Sequence, residues 1–393
     1  MSKKKIFSKR ADELSLSPTL AFDAKVRMLQ KKGKEVLNLT LGEPDFATPE
    51  YIQDAAIGAI TSGFTHYTLV GGIEELRKAI SKKLRKENNI RYDSSEIIVG
   101  AGTKFLLYEL FQVLLDKGDE VILSLPTWST YVEQIKLAEG KPVTIKLMPP
   151  FQLTAEAVEK KLSKKTKIIL LNSPANPTGA IISKKELQNI VRLAKKHKLY
   201  IISDEIYEKI TYGAKFVSPA SLLTSMREHI LTVNGFSKAY AMTGWRLGYV
   251  AGSQEIIAKM NALQSQTTSN ATSISQKAGV TALTGPQQSI KDMVKEFTRR
   301  QNYLVKEFLT IPNLSFTPPE GAFYLFVSVE RMLGKKFPSS EAWCRRLLEE
   351  EGVPVIPGEA FYYPGYFRLS FASSMEILEK ATEKIRRFCK RYA

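Results

Sequence analysis

Between residues 94 and 252 the chain alternates two patterns: short apolar runs, and longer stretches whose apolar positions recur at helical spacing. The runs at 97–99, 121–125, 143–147, 167–171, 200–203, 230–233 and 247–251 read as strands. Several are apolar at consecutive positions, as expected of strands covered by helices on both faces. This region is therefore expected to be α/β, a mainly parallel seven-stranded sheet. After Gly285-Pro286 come a long charged helical stretch at 289–310, short β-like runs at 322–327, 353–356 and 367–371, and a helix from Ser374. That succession predicts a smaller α+β unit, joined by the residues before about position 45. The expected division is a large domain over 46–286, with an arm and small domain formed by 1–45 and 287–393. No repeat or low-complexity segment interrupts it.

Composition narrows the functional classes. The chain has 393 residues, 44% of them hydrophobic, but no run of about 18 uncharged apolar residues, so no membrane helix is expected. The N-terminal stretch lacks the apolar core of a signal peptide. Its basic cluster, Lys3, Lys4, Lys5, Lys9 and Arg10, runs straight into Asp12 and Glu13 and reads as a solvated arm. Two cysteines, Cys344 and Cys389, are too few for a disulfide framework and fit a reducing compartment, so a cytoplasmic protein is expected. His66, His197 and His229 lie far apart and form no metal motif. The net charge of +17 raises the question of nucleic acid. The lysines, however, are spread along stretches read as helical, 160–167 and 184–198, without interleaved aromatics, and read as solvated helix faces. Such a surface attracts anionic cofactors and dicarboxylates; no nucleic-acid or membrane partner is expected.

The candidate chemistry falls just after the carboxyl ends of predicted strands, where open α/β sheets bind ligands. Gly100-Ala101-Gly102-Thr103 precedes an apolar helix at 105–115, a turn suited to cradle a phosphate on backbone N–H groups. It matches neither the P-loop nor the full dinucleotide fingerprint. Asn172 to Gly179 is rich in Asn and Pro, as an ordinary Pro-fixed loop also is. Asp204 ends the run at 200–203, a place where an Asp is more often a helix cap. Lys238 follows Asn234-Gly235-Phe236-Ser237. A lone Lys normally faces solvent, but in a loop of small residues at a sheet's carboxyl edge it could be partly desolvated, its pKa lowered toward that of a nucleophilic amine.

In order and spacing, Leu41-Gly42-Glu43-Pro44-Asp45-Phe46, Asn176-Pro177-Thr178-Gly179, Ser203-Asp204-Glu205-Ile206-Tyr207, Ser237-Lys238 and Phe367-Arg368-Leu369-Ser370 resemble a known family. It is that of the fold-type I pyridoxal 5'-phosphate (PLP) enzymes, specifically the class I aminotransferases related to aspartate aminotransferase. The resemblance spans nearly the whole chain. It implies that Lys238 anchors PLP covalently and shuttles a proton, while Asp204 keeps the pyridine nitrogen protonated. It further implies that Asn176 and Tyr207 hydrogen-bond the ring's phenolic oxygen and that Trp128 stacks on the ring. The phosphate would rest on Gly102, Thr103, Lys104, Ser237 and Arg246, with Tyr67 reaching over from a second subunit, so a homodimer with shared active sites is expected. Arg368, helped by the backbone at Gly42, would clamp the substrate α-carboxylate, with Asn176 and Trp128 also facing substrate.

The substrates implied are amino acids and 2-oxo acids. One aspartate aminotransferase subgroup recognises the distal carboxylate with an arginine of the partner subunit, in the region resembling 264–276. This chain has no Arg between Leu247 and Thr298. It instead resembles the subgroup that uses a Lys beside the phosphate turn, here Lys104, and a Thr near the N-terminus, here Thr19 in Ser17-Pro18-Thr19-Leu20. The expectation is transfer from aspartate or glutamate to 2-oxoglutarate or oxaloacetate, with prephenate as a further acceptor. The alternatives are an aromatic, kynurenine or alanine aminotransferase, with Tyr67, Trp128 and Phe22 lining an apolar pocket, and a PLP-dependent C–S β-lyase. A PLP-sensing DNA-binding regulator is disfavoured, because the first predicted elements begin within about 20 residues of the N-terminus.

Overall fold

The structure is a computed structural model that describes residues 6–8, 12, 26, 28, 31, 33 and 35–393. The seven apolar runs form one sheet from β1 (Ile97–Gly100), β2 (Glu120–Leu125), β3 (Lys141–Lys146), β4 (Thr166–Asn172), β5 (Tyr200–Asp204), β6 (Ile230–Gly235) and β7 (Gly248–Ala251). Their spatial order is β1-β7-β6-β5-β4-β2-β3. Neighbours from β6 to β3 are parallel. β7 runs antiparallel between β6 and β1. The expected mainly parallel α/β sheet is therefore present.

Helices α1 (Glu50–Thr61), α2 (Glu74–Asn88), α3 (Thr103–Leu114), α4 (Ser129–Leu137), α5 (Ala155–Glu159), α6 (Lys184–His197), α7 (Gln254–Ser265) and α8 (Ser273–Thr284) accompany it. Successive strand residues point to opposite faces, and the core divides accordingly. Ile122, Ile169, Leu171 and Ile201 enter one apolar cluster. Val121, Leu123, Ile168, Leu170 and Ile202 enter another. Both faces are dry, which explains the consecutive apolar runs in the sequence.

A second sheet, antiparallel, is built from β8 (Ser315–Phe316), β9 (Tyr324–Ser328), β10 (Ile356–Pro357) and β11 (Tyr366–Ser370), in the order β10-β11-β9-β8. It packs with α9 (Gln288–Phe308), α10 (Ser340–Glu351) and α11 (Met375–Arg391) around its own core. There Trp343 stacks on Phe367 with ring centroids 5.0 Å apart. Leu37 and Leu39 belong to this core. The Leu37 amide donates to Gly352 O at 2.9 Å, and the Ser370 amide donates to Leu39 O at 2.9 Å. The chain before position 45 is thus tied to this second unit at residues 37–39. Helix starts follow the capping signals: Ser183 Oγ accepts from the Glu186 amide and Ser374 Oγ from the Ile377 amide.

One expectation is corrected. The basic stretch at 160–167 is not helical: α5 ends at Glu159, a turn follows, and β4 begins at Thr166. The β-branched and apolar run from Thr166 to Leu171 commits the chain to the sheet, and Lys167 pairs with Asp119 at 2.9 Å. The second basic stretch, at 184–197, is the amphipathic helix expected of it, with Leu187, Ile190, Val191 and Ala194 buried.

Candidate active site

A cavity of about 340 Å³ opens where β4, β5 and β6 end, bounded on its other side by Tyr324 and Arg368 of β9 and β11. It lies at the carboxyl edge of the parallel strands, as open α/β sheets dictate. Of the residues expected from sequence, Gly42, Thr103, Lys104, Trp128, Asn176, Asp204, Tyr207, Ser237, Lys238, Arg246 and Arg368 all line it. Gly102 sits at its phosphate-turn end, where a Cβ would meet the Arg246 guanidinium at 2.6 Å. Tyr67 does not line it and is 90% exposed. Thr19 and Phe22 lie outside the described residues.

The turn at Gly102 is brought against the sheet by a row of glycines. Gly100, Gly248 and Gly235 stand side by side across β1, β7 and β6. A Cβ on Gly248 would come within 2.7 Å of the Thr103 amide nitrogen, and one on Gly235 within 3.1 Å of Thr103 Cγ2. Only side-chain-free strands allow the N-terminus of α3 so close. Gly102, at φ +87°, supplies no side chain to cap that helix. The positive end of the helix dipole is therefore open toward the cavity, beside Arg246, as an anion cradle requires.

Asp204 is 3% exposed. Its Oδ2 accepts from Tyr131 Oη at 2.7 Å and its Oδ1 from the Ile206 amide at 3.2 Å. Burial raises its pKa, which the Tyr131 and Ile206 hydrogen bonds oppose. The chain does not enter a helix here, so Asp204 is no cap. Lys238 Nζ donates to Gly42 O. Burial draws its pKa down to about 8, with nearby Glu43 pulling the other way. Such a lysine supplies an appreciable neutral fraction near neutral pH, the form needed for nucleophilic attack or proton abstraction.

Arg368 is buried, 3% exposed, with no ion pair among the described residues. One terminal nitrogen donates to Asn176 Oδ1 at 3.1 Å and the other to Thr40 O at 2.8 Å, while its Nε has no partner. Its guanidinium lies over the Tyr324 ring, 4.3 Å from the centroid. A buried cation held only by neutral groups is energetically unfavourable unless an anion joins it. Tyr207 Oη and Tyr324 Oη are 2.8 Å apart. Lys104 Nζ lies 4.8 Å from the centre of the Trp128 ring, and burial, then Arg246, lowers its pKa.

Tyr131, Tyr324 and Thr40 were not anticipated from the sequence. Tyr131 follows Trp128 by three residues on the first turn of α4, a signal that was available; Tyr324 and Thr40 act through contacts between distant segments and carry none. Gln264 and Gln276, in the region where an arginine was looked for, are both fully buried. They hold the loop after Tyr67: Gln264 Nε2 donates to Val70 O at 2.6 Å, and Gln276 Oε1 accepts from the Ile73 amide at 2.7 Å.

With this arrangement described, its relatives are informative. The sequence profile of the family "Aminotransferase class I and II" matches residues 34–385. The chain is 43% identical over 390 residues to an aspartate aminotransferase of Bacillus subtilis, covering 98% of this chain and 99% of that one. It is 44% identical over 394 residues to a probable aspartate/prephenate aminotransferase of Rickettsia felis, covering 98% of this chain and 96% of that one. The crystal structure of the aspartate aminotransferase from Rhizobium meliloti superposes with a TM-score of 0.95 at 40% identity, covering 99% of this chain and 100% of that one. The chain belongs to the class I and II aminotransferases, enzymes that work with PLP.

The residues present fit that cofactor. The open N-terminus of α3 with Arg246 suits its phosphate, the buried carboxylate of Asp204 a protonated ring nitrogen, and the desolvated amine of Lys238 its aldehyde carbon.

Proposed function

We propose that this enzyme moves the amino group of L-aspartate or L-glutamate to a 2-oxo acid, 2-oxoglutarate or oxaloacetate, with prephenate as a further acceptor, in two half-reactions that share one site. The observation that carries the reading is the buried Arg368, without an ion pair among the described residues, facing the same cavity as Lys238 and Asp204. PLP, when bound, supplies an electron sink for the carbon that bears the amino group.

The chain's own groups do the rest. Arg368 holds the α-carboxylate with its planar fork, with Asn176 beside it, and so turns the α C–H bond toward the ring face. Lys238 Nζ takes the proton from the substrate α-carbon and returns it elsewhere, a role that its lowered pKa allows. Asp204 holds a proton on the ring nitrogen; Tyr207 and Asn176 donate toward the phenolic oxygen; Trp128 covers the ring; Thr103, Ser237 and Arg246 hold the phosphate. Lys104 beside Trp128 offers a second cation for the distal carboxylate, and Thr19 is assigned the same task. The likeness to an aspartate aminotransferase of Bacillus subtilis and a probable aspartate/prephenate aminotransferase of Rickettsia felis favours acidic substrates.

Tyr67, exposed on a loop pinned by Gln264 and Gln276, is assigned to the cavity of a partner subunit in a homodimer. Exposed Ile57, Ile60 and Leu69 support a covered surface there. The division into a large domain over 46–286 and a smaller unit from the rest is part of the same proposal, supported by two distinct sheets. A cytoplasmic location accords with a structure in which no helix among the described residues is long and apolar enough to cross a membrane.

Lys104→Ala tests the acidic preference. We expect kcat/KM for aspartate to fall about 10- to 100-fold, as for loss of one charge-assisted contact, while turnover of phenylalanine changes little. Equal effects on both substrates would remove Lys104 from side-chain recognition.

A further inference from the structure

Tyr131 stands on the first turn of α4, three residues after Trp128. Its ring meets the Trp128 ring edge-on, 5.2 Å between centroids and 88° between planes. Its hydroxyl donates to Asp204 Oδ2 at 2.7 Å. Both partners are buried, 2% and 3% exposed. The other Asp204 oxygen accepts from the Ile206 amide, and no ion pair among the described residues reaches the carboxylate. Among the described side chains, the Tyr131 hydroxyl is therefore the main support for the charge of this desolvated carboxylate, with the Lys238 cation adding a weaker pull.

We infer that Tyr131 is a positioning residue that keeps Asp204 ionised and so holds the proton on the cofactor's ring nitrogen instead of on the carboxylate. The inference rests on the cofactor reading given above. A proton shared between a carboxylate and a pyridine nitrogen resides on nitrogen only while the carboxylate is the weaker base. In a dry site burial makes the carboxylate a stronger base, and a donated hydrogen bond weakens it again. Burial also raises the Tyr131 phenol far above its ordinary range, with Asp204 adding to the effect, so the hydroxyl stays a donor at any working pH. The rigid contact with Trp128 fixes where that hydroxyl points.

Tyr131→Phe removes one oxygen and keeps the ring. The test is the 15N chemical shift of the ring nitrogen in holoenzyme loaded with 15N-labelled PLP. In the parent enzyme the shift should be that of a protonated ring; in Tyr131→Phe it should move toward the unprotonated value. Aspartate kcat should fall about 10- to 100-fold with little change in KM, since Arg368 is untouched. With a cofactor analogue carrying carbon in place of the ring nitrogen, the two proteins should turn over equally. A second protein with 3-fluorotyrosine in place of Tyr131 keeps the packing and the donor, and should hold the shift at the protonated value. An unchanged shift in Tyr131→Phe, or a shift lost equally in the 3-fluorotyrosine protein, would overturn the role of Tyr131 while leaving the cofactor reading intact. An unprotonated ring nitrogen in the parent enzyme would overturn both.

Discussion

Lys238→Ala will reduce amino transfer by about 10⁴-fold or more, because one nitrogen serves both as the covalent anchor and as the proton carrier. A coupled assay following oxaloacetate formed from aspartate measures the loss. Folding should survive it. In the cofactor-free protein Lys238 is a half-buried cation in the cavity wall, and desolvation draws its pKa from the ordinary 10.5 to about 8. The folded chain thus binds that proton more weakly than the unfolded chain. Below about pH 8 the whole penalty is present, about 3 kcal/mol; as pH rises toward 10.5 it is relieved, and stability gains accordingly. Lys238→Met should therefore unfold at higher denaturant concentration than the parent cofactor-free protein near pH 7, and the difference should shrink above pH 8. Loss of activity with gain of stability is the signature of a group strained for function.

Arg368→Lys will retain a positive charge and still lower kcat/KM for aspartate by about 10²- to 10⁴-fold. The lysine ammonium cannot reproduce a planar fork that is already shared with Asn176 Oδ1 and Thr40 O. Steady-state kinetics with aspartate and with an amine that lacks the α-carboxylate separate the causes. The second substrate should lose nothing further in the variant. Equal losses would mean that Arg368 supports the cavity walls and does not recognise the carboxylate.

The sheet was legible because its strands are buried on both faces: a run such as Lys167 to Leu171 needs no tertiary information to be read as a parallel strand. The small antiparallel sheet was partly legible. Its β8 has two residues, too few for any period, and β10 is equally short. The helical reading of 160–167 failed because charge spacing imitates an exposed helix face, whereas at the start of β4 Lys167 pairs with Asp119. In the site, the loops after strands carried strong signals, and the structure brings their residues into one cavity. Tyr324 went unread for a different reason: its meaning lies in what it touches, Tyr207, 117 positions away; Tyr131 had a local signal in its place after Trp128, but its partner Asp204 lies 73 positions away. The buried Gln264 and Gln276 likewise look like surface glutamines until the loop after Tyr67 is laid across them.

The central claim is that one cavity accepts an acidic amino acid and takes its nitrogen. It is tested most directly by adding single amino acids, without any 2-oxo acid, to the purified PLP-loaded protein and following the absorbance of the cofactor. The account predicts that aspartate and glutamate convert the cofactor to its amine form, one equivalent of 2-oxo acid appearing per site, and that aromatic residues and alanine do so much more weakly. Conversion by alanine or aromatic residues alone would contradict the assignment of Lys104, and release of pyruvate from sulfur amino acids with no conversion of the cofactor would contradict amino transfer itself.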